Sequence, residues 1–526
     1  MNIKLKKALV VASALLVTNA SQLTPVLAQE DTDTSSQVDV KGSLTVEDYQ
    51  KADASTLAQM VREGKVTSQE LIELAFEVIE ATEGSLNNLI STRKEAALEE
   101  AKALEDTGQP FYGVPILLKG LGHTYKDGFE SLGIEFLKDQ KASEDSEKAK
   151  AFREAGFIII GQTNFPQLGW INVTNSDLYG ATHNPWNLDH NPGGSSGGSS
   201  AAVVVGQVPI ASTSDGGGST RIPASWSGLI GLHPSRAILR WDEDTQKETV
   251  TNFAETKTMA DTKALFDFLV KDDQRDSLKD TPLDEETRIA YTTQTPAGTP
   301  ISDDAVAAVE EAVAFLKDQG YQVEEVDYPT DGQKLMEKYY VLASYGAGFL
   351  NDAAQGALDR DLEMDDVERL TWGLYQTSQD LTDEDLEAAW DYADQVRDQL
   401  EEFFKEYDVL LTPTNSYPAP EADYNHLTAE MAEKMADMSD LTKEEKLQLI
   451  YDQWLPAWTL TPYTQLANLT GTPAISLPTY VNEEGLPLGI MFHTSYKNDR
   501  LLLELGQAFE DGGQFKLFDP ADFSQP

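Results

Sequence analysis

Two short runs, Phe111–Leu118 and Phe157–Gly161, are apolar at nearly every position. Runs of roughly 4–8 such residues read as buried strands. Between them Ser146–Ala155 has helical spacing, and Gly156 stops it. The order strand, helix, strand is that of an α/β layer fold. The second half alternates likewise. Arg288–Thr292 reads as a strand. Ser302 caps a helix with Val306, Val309, Val313 and Leu316 on one face, Gly320 ends it, and Tyr321–Tyr328 alternates like a strand. Thr382 opens a long helix to about Tyr407, followed by the strands Val409–Leu411 and Ala474–Pro478 and a closing helix, Leu501–Phe509. Upstream, Ser55–Val61 opens a short helix, and Ser68 caps a longer one with Leu71, Ile72, Phe76, Val78 and Ile79 on its apolar face. Residues 175–225 read as a Gly/Ser/Pro/Asn loop region interrupted by one apolar helix at Ala201–Val205. With no internal repeat, heptad array or interdomain linker, one large α/β domain is the simplest organisation.

Composition narrows the function. The chain of 526 residues is 40% hydrophobic and holds 8 Trp, 19 Tyr and 19 Phe, enough for a large core. Cysteine is absent, which excludes disulfide scaffolds, thiolate metal sites and Cys nucleophiles. A net charge of −49 disfavours nucleic acid and anionic membrane surfaces as partners, because both are met by cations. The N-terminus has the form of an export signal: Lys4, Lys6 and Lys7, the apolar stretch Ala8–Val17, and Val26-Leu27-Ala28 as a cleavage site. Cleavage after Ala28 removes three lysines and no acid, so the secreted chain starts at Gln29 with charge −52. The expected layout is a signal peptide over 1–28, a disordered acidic linker over 29–45, one large folded domain over 46–515 and a C-terminal tail over 516–526, with no stable membrane insertion after cleavage.

Two glycine–serine segments, Gly193–Ser200 and Asp215–Arg221, sit inside apolar sequence. Glycines in such places let the backbone approach another group closely. Neither segment is followed by the Lys-Ser/Thr pair of a phosphate-binding loop, and the match to a dinucleotide fingerprint is poor. Three successive glycines before Ser219 suit an oxyanion hole beside a nucleophile. Two kinds of base are available. His183 and His190 precede the first segment, although no G-x-S-x-G elbow is present. Lys119 ends the apolar strand Gly113–Lys119, and burial there lowers a Lys pKa.

The segments G-V-P-I-L-L-K at 113–119, P-G-G-S-S-G-G-S-S at 192–200 and D-G-G-G-S-T-R-I-P-A at 215–224 together resemble the amidase signature family. Lys119 lies 76 residues before Ser195, and Ser219 lies 24 after it, as in that family. Gly161–Asn164, Asn184–Asn187, Gly228–Leu232 and Asn468–Pro478 add flanking matches, and the resemblance spans about Asp48 to Phe509. It implies a mixed central β-sheet covered by helices on both faces. It also implies a catalytic triad of Lys119 as base, Ser195 as bridging serine after a cis bond to Gly194, and Ser219 as nucleophile. The N–H groups of Gly216, Gly217, Gly218 and Ser219 would form the oxyanion hole, with Ser196, Asp215 and Arg221 supporting. Gly120, Ser214, Thr220 and His233 depart from the usual family residues without removing a triad member. The D-G-G-G-S variant and the pattern Tyr49…Asp53-Ala54…Leu57-Ala58 are closest to the branch of linear-amide and cyclic-dimer hydrolases.

The implied activity is hydrolysis of a small-molecule amide by a secreted enzyme, with no cofactor and no metal, and with a homodimer left open. The transfer-RNA amidotransferase subunit shares the signature, but an export signal separates this chain from transfer RNA. The alternative is a catalytically idle extracellular binding protein of the same fold; the three filled triad positions favour the enzyme. Trp170, Tyr179 and Tyr339–Leu350 are candidates for the pocket wall.

Overall fold

The computed structural model describes residues 44–523. The expected signal peptide and nearly all of the acidic linker lie outside the described residues. Eleven strands form one sheet: β1 Leu89–Thr92, β2 Pro115–Lys119, β3 Ile158–Thr163, β4 Ala211–Asp215, β5 Ile230–His233, β6 Thr251–Thr256, β7 Arg288–Tyr291, β8 Gln322–Glu325, β9 Val409–Pro413, β10 Ala474–Val481 and β11 Pro487–Thr494. Their order across the sheet is β1-β3-β2-β4-β6-β5-β10-β11-β9-β7-β8. The runs β3-β2-β4 and β9-β7-β8 are parallel, and the remaining neighbours are antiparallel. The sheet is mixed, as the resemblance implies.

Strands β2, β3, β5, β9 and β11 are buried at every residue. Successive side chains point to opposite faces, so such strands need cover on both. Helices supply it. Ser68–Leu86 buries Leu71, Ile72, Phe76, Val78 and Ile79, the face expected from their spacing. Its cap differs from expectation. Thr67 is the N-cap, closing a capping box with Glu70, and Ser68 is the first helical residue. Either hydroxyl could accept from the helix start, and Glu70 stands three residues after Thr67, where it reaches back to the Thr67 amide. The helix opened by Ser302 runs Asp303–Asp318 with Val309, Val313 and Leu316 buried.

Residues 175–225 hold more regular structure than their composition predicts: β4, and the helices Gly197–Val204 and Arg221–Ser227. The sequence of β4, A-S-T-S-D, has no apolar alternation. The Ser212 and Thr213 hydroxyls are buried because neighbours satisfy them: Ser212 Oγ accepts from Lys119 N at 2.9 Å, and Thr220 Oγ1 donates to Thr213 Oγ1 at 2.8 Å. Residues 516–523 fold back onto the domain. Lys516 N donates to Pro478 O at 2.7 Å, and Phe518 meets Trp186 edge-on with ring centroids 5.2 Å apart. Among the described residues no helix is long and apolar enough to cross a membrane.

A second apolar cluster lies among Gly332–Gly346, Arg369–Ser378 and Lys443–Leu460, with Met336, Tyr340, Leu374, Trp454 and Trp458 at its centre. Tyr340 and Trp454 stack at 4.9 Å, which fixes the first of these helices against the third. These helices form one wall of the site described next.

Candidate active site

Lys119 ends β2, between the parallel neighbours β3 and β4. At a strand end the backbone ladder finishes while the side chain is still enclosed, and Lys119 has no exposed surface. Its Nζ donates to Ser195 Oγ at 2.8 Å, to Ser196 Oγ at 2.8 Å and to Ser214 O at 3.3 Å. Burial brings the amine down to about 7, against the opposing pull of the Asp215 and Glu255 carboxyls. Ser195 and Ser196 lead directly into the buried helix Gly197–Val204, and the bond between Gly194 and Ser195 is cis. Two close approaches hold this turn. A Cβ on Gly194 would lie 2.5 Å from the Val173 backbone, and one on Gly169 would lie 2.9 Å from Ser195 Oγ.

Ser219 follows β4 in the glycine loop, and its hydroxyl has no partner among the described residues. The loop is braced from below by Asp215 and Arg221, both fully buried. Arg221 Nε donates to Asp215 Oδ2 and Nη2 to Oδ1, each at 2.9 Å. Burial pushes the Asp215 carboxyl up, but the Arg221 guanidinium overcomes this and holds it well below the usual carboxylate range. Asp215 also accepts from Gly218 N at 2.7 Å, from Thr220 N at 3.2 Å and from Asn468 Nδ2 at 2.9 Å. The Gly218 amide is therefore committed to Asp215 and is not free for an oxyanion. The amides of Gly216, Gly217 and Ser219 have no acceptor among the described residues.

Ser195, Gly216, Gly217 and Ser219 open onto a cavity of about 280 Å³. Of the expected wall residues, Trp170 and the segment containing Tyr339, Tyr340 and Tyr345 line it. Tyr179 does not. Its ring packs on Phe165 and its hydroxyl bonds Ser131 Oγ at 2.5 Å, because the chain turns away after Ser176. No histidine lines the cavity: His183 Nδ1 bonds Leu188 O at 2.6 Å, and the His190 backbone pairs with Asn184. Sequence reasoning missed Trp241, Trp454 and Trp458 in the wall and the brace from Asn468. Asn468 lies in a segment legible as a family match, but its contact with Asp215 spans 253 residues.

The family model described as Amidase matches residues 70–503. A lipoamidase of Enterococcus faecalis is 51% identical over 88% of this chain, and the chain spans only 64% of that relative's length. The 6-aminohexanoate-cyclic-dimer hydrolase of Paenarthrobacter ureafaciens is 28% identical over 87% of this chain and 94% of its own. A solved structure of a 6-aminohexanoate cyclic dimer hydrolase complexed with substrate superposes with a TM-score of 0.76 at 26% identity, covering 90% of this chain and 98% of that one. The match over most of the chain, on a sheet and helix arrangement shared with that structure, places this chain in the amidase family of amide hydrolases.

Proposed function

We propose that the chain hydrolyses a carboxylic amide through an acyl intermediate on Ser219. The observation that carries this reading is the fully buried Lys119 amine, 2.8 Å from Ser195 Oγ and brought to about 7, beside the cavity that Ser219 lines. Near pH 7 about half of such amines are neutral. The neutral Nζ takes the Ser195 proton while Ser195 takes that of Ser219. Ser219 Oγ attacks the carbonyl carbon, and the oxygen collects the displaced electron pair. The free amides of Gly216, Gly217 and Ser219 stabilise that charge. As the C–N bond breaks, Ser195 passes its proton to the leaving nitrogen and recovers one from Lys119. Water, activated by the same relay, then releases the acid.

For the acyl group we read a lipoyl or similar apolar chain. The relative that shares 51% identity is named a lipoamidase. The wall formed by Trp170, Tyr340, Trp454 and Trp458 offers aromatic faces of the kind that suit an apolar chain and its sulfur atoms. Export follows from the Lys4–Ala28 signal pattern. The direct test is release of lipoate from Nε-lipoyl-lysine beside octanoyl and acetyl analogues, with Ser219→Ala as control. Preference for lipoyl and octanoyl over acetyl, lost in the control, is expected. Equal or better turnover of the acetyl amide would contradict the acyl reading, and turnover by Ser219→Ala would contradict the mechanism.

A further inference from the structure

Beneath the relay stands a buried carboxyl that no step of the proposed reaction uses. Glu255 lies on β6 with no exposed surface. The sheet register sets it beside Ala211 of β4 and Gly231 of β5, and sets Ala211 beside Leu117 of β2. Paired residues share a face and sides alternate along each strand, so Lys119, Asp215 and His233 lie on the same face as Glu255. The helix Gly197–Val204 covers β2, β4 and β6 there.

The site suits an acid and not an anion. Among the described residues the Glu255 carboxyl forms no ion pair, its Oε1 has no partner, and its Oε2 meets one group, Ser200 Oγ at 2.6 Å. The same hydroxyl stands 3.3 Å from Ser196 O, and Ser196 Oγ accepts from Lys119 Nζ at 2.8 Å. A serine hydroxyl has one proton to give. With Glu255 ionised, that proton goes to the carboxylate and Ser196 O goes without. With Glu255 protonated, the acid O–H donates to Ser200 Oγ, and Ser200 donates onward to Ser196 O. Only the protonated acid makes both bonds.

The surroundings supply no free cation to favour the charged form. The helix Gly197–Val204 has no titratable side chain. Arg221 is engaged with Asp215. Burial and the Arg221 charge lower His233 to about 3, which leaves it neutral. In the helix Met259–Leu269, which packs on β6, Asp261 accepts from the Ala54 and Ser55 amides, Lys263 pairs with Glu504 at 2.9 Å, and Asp267 is exposed. Burial pushes the Glu255 carboxyl well above its ordinary range and the Asp215 charge adds to this, against the Ser200 hydrogen bond and Lys119. An unpaired charge in such a place is avoided by neutralising the group.

We infer that Glu255 is a positioning residue of the relay: a protonated acid that holds Ser200 onto Ser196, the partner of the Lys119 amine, without placing a negative charge beside that amine. The inference rests on the proposed reaction at Ser219, in which Lys119 acts in its neutral form. A carboxylate at Glu255 favours the ammonium and so withdraws the base.

The test replaces the acid in two ways. Glutamine is neutral and keeps an N–H donor where the acid O–H stands; leucine is neutral and has none. Glu255→Leu should lower kcat roughly tenfold with KM little changed, as expected when one hydrogen bond that orders the relay is lost. Glu255→Gln should restore the wild-type rate, with the acid limb of kcat/KM at the wild-type position. A wild-type kcat in Glu255→Leu overturns the inference. So does an acid limb that moves to lower pH in Glu255→Gln, the result required by loss of a negative charge. Should Glu255→Leu fail to fold, Ser200→Ala breaks the same link from its other end and is read in its place. Infrared spectroscopy reads the proton without turnover. On the alkaline side of neutral the wild-type chain should show a protonated-carboxyl C=O band that Glu255→Gln lacks. Absence of that band overturns the inference even in an active enzyme. Its presence in a chain that hydrolyses no amide supports the protonated acid and tells against the reaction at Ser219 instead.

Discussion

Arg221 closes on Asp215 through two hydrogen bonds of 2.9 Å, and neither side chain reaches solvent. Because Asp215 also holds the amides of Gly218 and Thr220, this pair sets the shape of the loop that carries Ser219. Removing one partner leaves an uncompensated buried charge. Arg221→Met should therefore destabilise the fold by about 3–5 kcal/mol, read from denaturant unfolding. Burial opposes the Asp215 charge, but the pair depresses its pKa overall. Its contribution is thus complete above the unfolded value of about 3.9 and is lost only as pH falls through the lower folded value. A loss that appears near neutral pH would point to another group.

Lys119→Ala and Ser195→Ala should each lower kcat by roughly 10²–10⁴ while leaving the fold intact. Their effects should not add, because the two act in one relay. A double variant far slower than either single one would place them on separate paths.

The acid limb of the rate profile should report Lys119. The amine is active when neutral, so kcat/KM should fall about tenfold per unit below its pKa and level off above it, with a midpoint at about 7. Added salt should move the limb modestly toward lower pH, because the net negative field of the chain favours the protonated amine and salt screens it. A profile already flat at pH 5 would count against a lysine base.

Gly169 has φ +71° and stands against Ser195 Oγ. Gly169→Ala places a methyl 2.9 Å from that oxygen in a backbone region that disfavours a side chain. The bridging serine must shift, so kcat should fall more than KM rises. Steady-state kinetics beside a thermal melt checks this, and a normal kcat would mean that the turn relaxes elsewhere.

The parts of this fold legible in sequence are those where local patterning and burial agree. β2, β3 and β9 are buried throughout and start on apolar runs, and the helix Asp303–Asp318 shows its spacing and its Ser302 cap. What escaped is structure stabilised from far along the chain. β4 is a strand of serines and threonines that becomes buriable only because Lys119, Thr220 and their neighbours satisfy it. In the site, Lys119 and Ser195 each sit in a contiguous motif that can be read locally, and the fold brings their side chains together across 76 residues. The commitment of Gly218 to Asp215 is a contact between residues three apart that a run of glycines does not single out, whereas the bracing by Asn468 and the walls from Trp241, Trp454 and Trp458 depend on tertiary packing that no local spacing encodes.

The acyl-Ser219 intermediate is tested most directly by labelling with a fluorophosphonate probe and mapping the adduct by peptide mass spectrometry. One phosphonyl group on Ser219 is predicted, absent in Ser219→Ala and formed far more slowly in Lys119→Ala. An unlabelled wild-type chain, or an adduct on any other residue, would contradict it.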